Sequence, residues 1–340
     1  MPALLKQRLL DWMGGDSSAF ASFNEAALEV FAYQFEHNAS YRHYCEARGV
    51  TGARLTDWNE IPALPTDAFK FPAHQPRCFP AENATRYFLT SGTTREVRGR
   101  HEFEDLELYE RSILAGWSQL GLPEIRNPWF LSQSPSDAPN SSLVHMFEVL
   151  DRSIASERWM IDLEGHIDTS GFPGKAPVEL FSTALALLKW TECNGPTPLA
   201  EGSWIFETGG YKGLRETMEP ERFREKVAAH FSIPVNRILN EYSMTELSSQ
   251  FYRWPDEEGH RGPHWTRIRV INPETGAPAG DGEPGYLEIL DLANLGSVAA
   301  IRTQDLAIAR GPSSFTLLGR DPGALPRGCS RAADDLLNQR

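Results

Sequence analysis

Residues 90–94 set five small side chains in a row, Thr90, Ser91, Gly92, Thr93 and Thr94, directly after the apolar run Tyr87, Phe88, Leu89. Four of the five carry hydroxyls. Such a loop suits a polyphosphate, because small side chains let backbone N–H groups approach phosphate oxygens while the hydroxyls add donors. It is not a Walker loop, since the G-x-x-x-x-G-K-[ST] pattern is missing. A plain polar turn after a strand has the same composition. Just behind it Arg95, Arg98, Arg100 and His101 concentrate positive charge, which would serve a phosphate site or a solvated basic loop equally.

Three more segments offer chemistry downstream. In 206–212 (FETGGYK) the pair Gly209 and Gly210 follows an apolar run, which allows either close approach of a flat ligand or a tight turn. In 240–246 (NEYSMTE) the residues Glu241, Tyr242, Ser243, Thr245 and Glu246 crowd together. Ser243 and Glu246 have capping-box spacing, with a helix starting at Thr245, and Glu246 is equally a hard oxygen donor for Mg2+. Asp305 and Arg320 follow in IRTQDL and LGRD, and Cys329 lies between Arg327 and Arg331. Flanking arginines favour the thiolate of Cys329; an inert tail cysteine is the alternative. His145 sits on an apolar helix, where a histidine is either a ligand contact or a core residue.

In this order the segments resemble the core motifs of the adenylate-forming superfamily. More narrowly, FETGGYK, NEYSMTELSSQFY, DLAN at 291–294 and the ending GRDPGALPRGCS look like the LuxE-type acyl-protein synthetase family, which includes relatives from phenazine pathways. The similarity runs from about the first helices to the C-terminus. It implies ATP and Mg2+ as cofactors and a carboxylic acid, fatty or aromatic, as substrate. Thr90, Ser91, Gly92, Thr93 and Thr94 would hold phosphates with Thr245, and Glu246 would hold the metal. Gly209, Gly210, Glu241, Tyr242 and Ser243 would line the adenine site, with Tyr242 stacking on the base. Asp305 and Arg320 would take the ribose, His145 would stand near the acyl pocket, and Cys329 would accept the acyl group. The implied activity is an ATP-dependent acid–thiol ligase with an acyl-accepting protein or a reductase as partner. An acyl-CoA ligase and a non-catalytic adenylate-binding protein are the alternatives.

The sequence departs from the superfamily in three places. Arg95 stands where a glycine is usual, with no lysine shortly after, and Ser243 also replaces a glycine. The last lysine is Lys226, and only 322–340 follows the hinge. A short tail is therefore expected in place of a mobile C-terminal domain, with the adenylation lysine absent or its task given to an arginine or another protein.

Those residues need a scaffold. The 340 residues are 41% hydrophobic and 23% charged, with a net charge of −13, a globular composition that argues against nucleic acid or an anionic membrane as partner. No apolar run is long enough to span a bilayer, and the N-terminus reads as an amphipathic helix. Cys45, Cys78, Cys193 and Cys329 form no C-x-x-C pair, so neither a zinc site nor a disulfide framework is indicated, and a cytoplasmic location is expected. Periodicity predicts helices over 2–13, 24–48, 104–120, 142–149, 178–190 and 219–231, and strands over 129–132, 159–163, 204–206 and 233–239. Prolines punctuate 61–80. Strand, tight loop and helix recur, so the fold class is α/β: mainly parallel sheets flanked by helices, of the adenylate-forming N-terminal-domain type implied by the resemblance. Ligand loops are expected at the C-terminal ends of strands, after Leu89, Phe206 and Leu239. From 265 onward short alternating strands predict a small antiparallel β subdomain near the C-terminus. The expected division is 1–262 for the α/β core, 263–322 for the β-rich subdomain and 323–340 for the tail.

Overall fold

The runs 128–131, 179–183, 204–208 and 238–242 are buried at nearly every position, the pattern of parallel strands covered on both faces. A computed structural model of the chain describes residues 3–51, 55–90, 98–209 and 218–321. Its helices are α1 (Ala3–Met13), α2 (Phe23–His37), α3 (Ala39–Glu46), α4 (Glu107–Gln119), α5 (Ser142–Asp151), α6 (Ala184–Cys193) and α7 (Pro220–Phe231). The strands are β1 (Leu64–Pro65), β2 (Arg86–Leu89), β3 (Arg100–Phe103), β4 (Pro128–Leu131), β5 (Glu179–Thr183), β6 (Trp204–Thr208) and β7 (Ile238–Tyr242). They continue with β8 (Phe251–Arg253), β9 (His260–Arg261), β10 (Thr266–Ile271), β11 (Pro284–Asp291), β12 (Ala300–Gly311) and β13 (Ser314–Arg320).

Strands β4, β5, β6 and β7 pair in parallel. Beyond β7 the same sheet continues antiparallel through β8, β9, β13, β12, β11 and β10, with β1 parallel to β12. The expected parallel sheet and antiparallel C-terminal unit are both present, hydrogen-bonded edge to edge as one eleven-stranded sheet. β2 and β3 form a separate antiparallel hairpin.

Side-chain alternation along the parallel strands divides the core. Leu131, Leu180, Ile205 and Ile238 pack with Leu187 and Trp190 of α6 and Phe223, Val227 and Phe231 of α7. Phe130, Phe181, Phe206 and Leu239 face the other way, toward Ile113 and Trp117 of α4, Phe147 of α5 and Phe88 of the hairpin. Helices α1, α2 and α3 cover the antiparallel end, packing on Trp265, Ile268, Leu287 and Ile289.

Several local expectations change. The helix expected over 24–48 is two, because Asn38 ends α2 with its N–H on the Gln34 carbonyl and starts α3 by accepting from the Tyr41 N–H. The apolar run 178–190, read as one helix, is strand β5 followed by α6, with Thr183 as the cap between them. A fully buried strand and a buried helix share the same continuous apolar pattern. Residues 159–163 make only single bridges, Trp159 to Phe130 and Ile161 to Ile167. Strand β7 starts at Ile238 and runs through Tyr242, later than the expected 233–239.

A buried amide helps to fasten the helical cap to the segment between β11 and β12. Gln34 of α2 donates to the Asn294 carbonyl at 2.9 Å and accepts from the Ala299 N–H at 3.0 Å. Replacing Gln34 with Leu leaves a carbonyl and an N–H buried without these bonds, a loss of order 3 kcal/mol. The thermal unfolding midpoint should fall by several degrees, and an unchanged midpoint would show that Gln34 does not fasten the cap.

Candidate active site at the C-terminal rim of the parallel strands

Strands β6 and β7 end side by side, with Thr208 in register with Glu241. The Thr208 hydroxyl donates to the Glu241 carboxyl. Gly209 follows at φ +95°, a backbone region that favours glycine and turns the chain off the strand. Burial pushes the Glu241 carboxyl up to about 7, against the opposing pull of the Ser243 and Thr208 hydroxyls.

The next residue, Tyr242, reaches across the sheet. Its hydroxyl donates to Asp305 Oδ2 at 2.8 Å, and its ring packs edge to face on Phe315 with centroids 5.2 Å apart. Asp305 lies on β12 opposite Arg320 of β13, whose guanidinium donates to Gln304. An extra residue, Leu318, interrupts the β13 register between these strands. Gly319, the glycine of LGRD, absorbs that bulge at φ +107°. Tyr242, Asp305 and Arg320, expected to act together, thus meet although they come from different strands.

The hairpin brings in the start of the hydroxyl-rich loop. The Thr90 N–H donates to the Gly99 carbonyl at 2.8 Å, and the Gly99 N–H donates back to the Thr90 hydroxyl at 2.7 Å. Arg98 donates to the Thr90 carbonyl at 2.8 Å. Arg100 closes an ion pair with Glu102, which also takes Arg77. Strand β2 belongs to the hairpin, so the expectation that this loop leaves a strand of the parallel sheet is corrected; the other two loops do leave β6 and β7. Even so, the hairpin docks on the same rim: His101 donates from Nδ1 to the Thr245 carbonyl at 2.8 Å, and the Thr245 hydroxyl lies 3.5 Å from the Leu89 carbonyl. Burial pushes His101 down to about 4, so it is neutral with its proton on Nδ1.

Thr245 does not open a helix, so Ser243 and Glu246 cap none. Residues 243–250 form a turn, with the Leu247 N–H on the Met244 carbonyl, and β8 returns antiparallel to β7. Thr245 and Glu246 are both buried. The fastening of this turn lies in residues whose role the sequence did not reveal. Asp291, fully buried, accepts from the N–H groups of Ser248 at 2.8 Å and Ser249 at 2.7 Å, from the Ser249 hydroxyl at 2.7 Å, and from the Ala293 N–H at 3.1 Å. Asn294 donates to the Glu246 carbonyl at 2.8 Å. The signal was an aspartate closing the apolar strand segment YLEILD, costly to bury unless donors surround it.

His145 sits on α5 between Glu110, 3.1 Å from Nε2, and Glu148, 3.2 Å from Nδ1. Arg152 holds Glu110 from the other side. Its ring is 5.4 Å from Phe88, the strand residue leading into Thr90. Ser91, Gly92, Thr93, Thr94, Gly210 and Cys329 lie outside the described residues.

No family model matches the chain. It is 25% identical over 304 residues to the long-chain-fatty-acid–luciferin-component ligase of Aliivibrio fischeri, covering 83% of this chain and 78% of that protein. The corresponding ligase of Vibrio harveyi is 22% identical over 313 residues, with 83% and 77% covered. Among solved structures, 2-hydroxyisobutyryl-CoA ligase with 2-HIB-AMP and CoA superposes with a TM-score of 0.63 at 14% identity, covering 87% of this chain and 68% of that one. An open conformation of the same ligase gives 0.60 at 13% identity, with 88% and 74% covered. The chain has the fold of the adenylate-forming ligases. The likeness to acyl-protein synthetases read from the motifs therefore extends over most of the chain. Among the described residues no helix is long and apolar enough to cross a membrane.

In the adenylate-forming fold the rim carries one group that should titrate near neutrality. The Glu241 carboxyl holds its proton more tightly when folded, up to about 7, than at its ordinary 4.5. That contribution to stability is complete below pH 4.5 and is lost as pH rises through 7. Glu241→Gln lacks it, so the variant should gain on the wild type by up to about 3 kcal/mol between pH 4.5 and pH 8. Unfolding midpoints of both proteins at the two pH values check this; a difference independent of pH would mean that folding leaves the proton affinity of Glu241 unchanged.

Proposed function

We propose that this chain activates a carboxylic acid with ATP and passes the acyl group to a thiol. The observation that carries the reading is the Tyr242 hydroxyl on Asp305, opposite Arg320, at the rim where β6 and β7 end. A carboxylate so oriented has lone pairs left for ribose hydroxyls. The names of the sequence relatives favour a long-chain fatty acid as substrate.

In this scheme an oxygen of the acid attacks the α-phosphorus of ATP and pyrophosphate leaves, giving acyl-AMP. A thiolate then attacks the acyl carbon and AMP leaves. The chain mainly positions the partners. Thr90, Ser91, Gly92, Thr93, Thr94 and Thr245 face the phosphates, while Gly209, Gly210, Glu241 and Ser243 line the adenine side. Tyr242 flanks the base and orients Asp305, and Arg320 assists at the ribose. His145, through Phe88, shapes the acyl side. Glu246, a buried carboxylate next to Thr245 in the chain, offers the hard oxygen donors that fit Mg2+, which would neutralise phosphate charge when bound. Cys329 is the proposed acyl acceptor, and a reductase that takes the acyl group from it is the proposed partner.

Acid-dependent exchange of pyrophosphate into ATP tests the activation step. Fatty acids should support exchange, and Asp305→Ala should lower it by about 100-fold, the effect of removing an interaction of roughly 3 kcal/mol in the transition state. ATP binding without exchange for any acid would favour the non-catalytic reading. With labelled acid, Cys329→Ala should abolish labelling of the protein and spare exchange. Label retained on that variant removes Cys329 from the scheme, and label found on CoA makes the protein an acyl-CoA ligase.

A further inference from the structure

The rim just described holds a cation that none of the motifs supplies. Lys70 ends the short helical turn Thr66–Lys70, in the proline-punctuated segment that seemed only a connector in the sequence. Its ammonium lies 3.0 Å from Asp67 Oδ1, with the side chain 17% exposed. The other oxygen of Asp67 accepts from Gln304 Nε2 at 3.1 Å. Gln304 in turn accepts from Arg320, the residue opposite Asp305. One carboxylate thus ties Lys70 to the strands that carry Asp305 and Arg320.

The same turn touches the base of the hydroxyl-rich loop. A β-carbon placed on Gly99 would stand 2.9 Å from the Thr90 side chain and 3.5 Å from the Phe69 carbonyl carbon, which is bonded to the Lys70 nitrogen. The Phe69 ring meets His101 edge to face at 5.3 Å, and His101 is bonded to Thr245. Lys70 therefore lies between Thr90 and Thr245 on one side and Gln304, Asp305 and Arg320 on the other. The nearby arginines are engaged otherwise: Arg77 and Arg100 close on Glu102, and Arg98 donates to the Thr90 carbonyl.

We propose that Lys70 binds the phosphate chain of ATP, held toward the rim by Asp67. The proposal rests on the reading of the rim as a nucleotide site. Asp67 shares its charge between Lys70 and Gln304, so it aims the ammonium without burying it. A partly shielded ammonium is a strong point-charge partner for phosphate oxygens. The pair with Asp67 spans three residues and adds little to stability, so the fold should survive its loss.

The test compares wild type, Lys70→Met, which keeps the aliphatic stem, and Lys70→Arg, which keeps the charge. Calorimetric titration with MgATP and with adenosine is run beside acid-dependent pyrophosphate exchange. Lys70→Met should weaken ATP binding by about tenfold or more, in line with loss of one charge-assisted contact, and leave adenosine within about twofold. In exchange the ATP KM should rise by the same factor, and Lys70→Arg should restore most of the loss. Unchanged ATP affinity in Lys70→Met, or equal losses for ATP and adenosine, overturns the assignment while leaving the nucleotide site intact. A wild type that binds neither ligand overturns the site itself, and Lys70 with it.

Discussion

The buried carboxylate of Asp291 fixes where the site's central turn can lie. A carboxyl group taken out of water is tolerated only when donors replace the lost solvent. Burial pushes its proton affinity up, while the hydroxyl of Ser249 and the N–H groups of Ser248, Ser249 and Ala293 pull it down. Three of those four donors belong to the turn between β7 and β8. The turn therefore cannot shift without stripping a buried charge-bearing group of its partners. Asn294, the residue after Ala293, grips the Glu246 carbonyl and is itself tied to α2 through Gln34. A chain of buried polar contacts thus runs from the N-terminal helices to Thr245 and Glu246.

The second constraint is the continuity of the sheet. Tyr242 ends a parallel strand, and Asp305 lies on a strand of the antiparallel unit. Had these units been joined by a loop, their hydroxyl–carboxylate contact would depend on how two bodies happened to settle. Instead β8, β9 and β13 carry backbone hydrogen bonds the whole way between them. The Phe315 ring against Tyr242 fills the space beneath that contact. Rigid strands, not loops, hold the groups whose spacing matters most.

How much of this was legible in the sequence varies with the range of the interaction. The small-residue loop, the paired glycines and the aspartate of IRTQDL are local patterns, and their order along the chain was enough to suggest a common rim. The capping box at Ser243 and Glu246 misled because its spacing is local while its competitor is not: Ser248 and Ser249 are claimed by Asp291, more than forty residues away. Likewise 178–190 is apolar throughout, and only its neighbours β4 and β6 decide that the first part is a strand. Lys70 was invisible for a third reason. It is an ordinary lysine in a proline-rich stretch until Asp67 and Gln304 are seen beside it.

The bulge at Leu318 has a consequence of counting. Side chains along a strand alternate between its two faces, so one additional residue reverses the parity of everything beyond it. With Leu318 set outside the ladder, Arg320 stands opposite Asp305; were Leu318 to take a regular place opposite Leu306, Gly319 would fall into that slot and Arg320 one residue beyond it. Register between Phe315 and Arg320 is thus as much a part of the site as composition, and a slip of one position would part Arg320 from Asp305 with every motif residue intact.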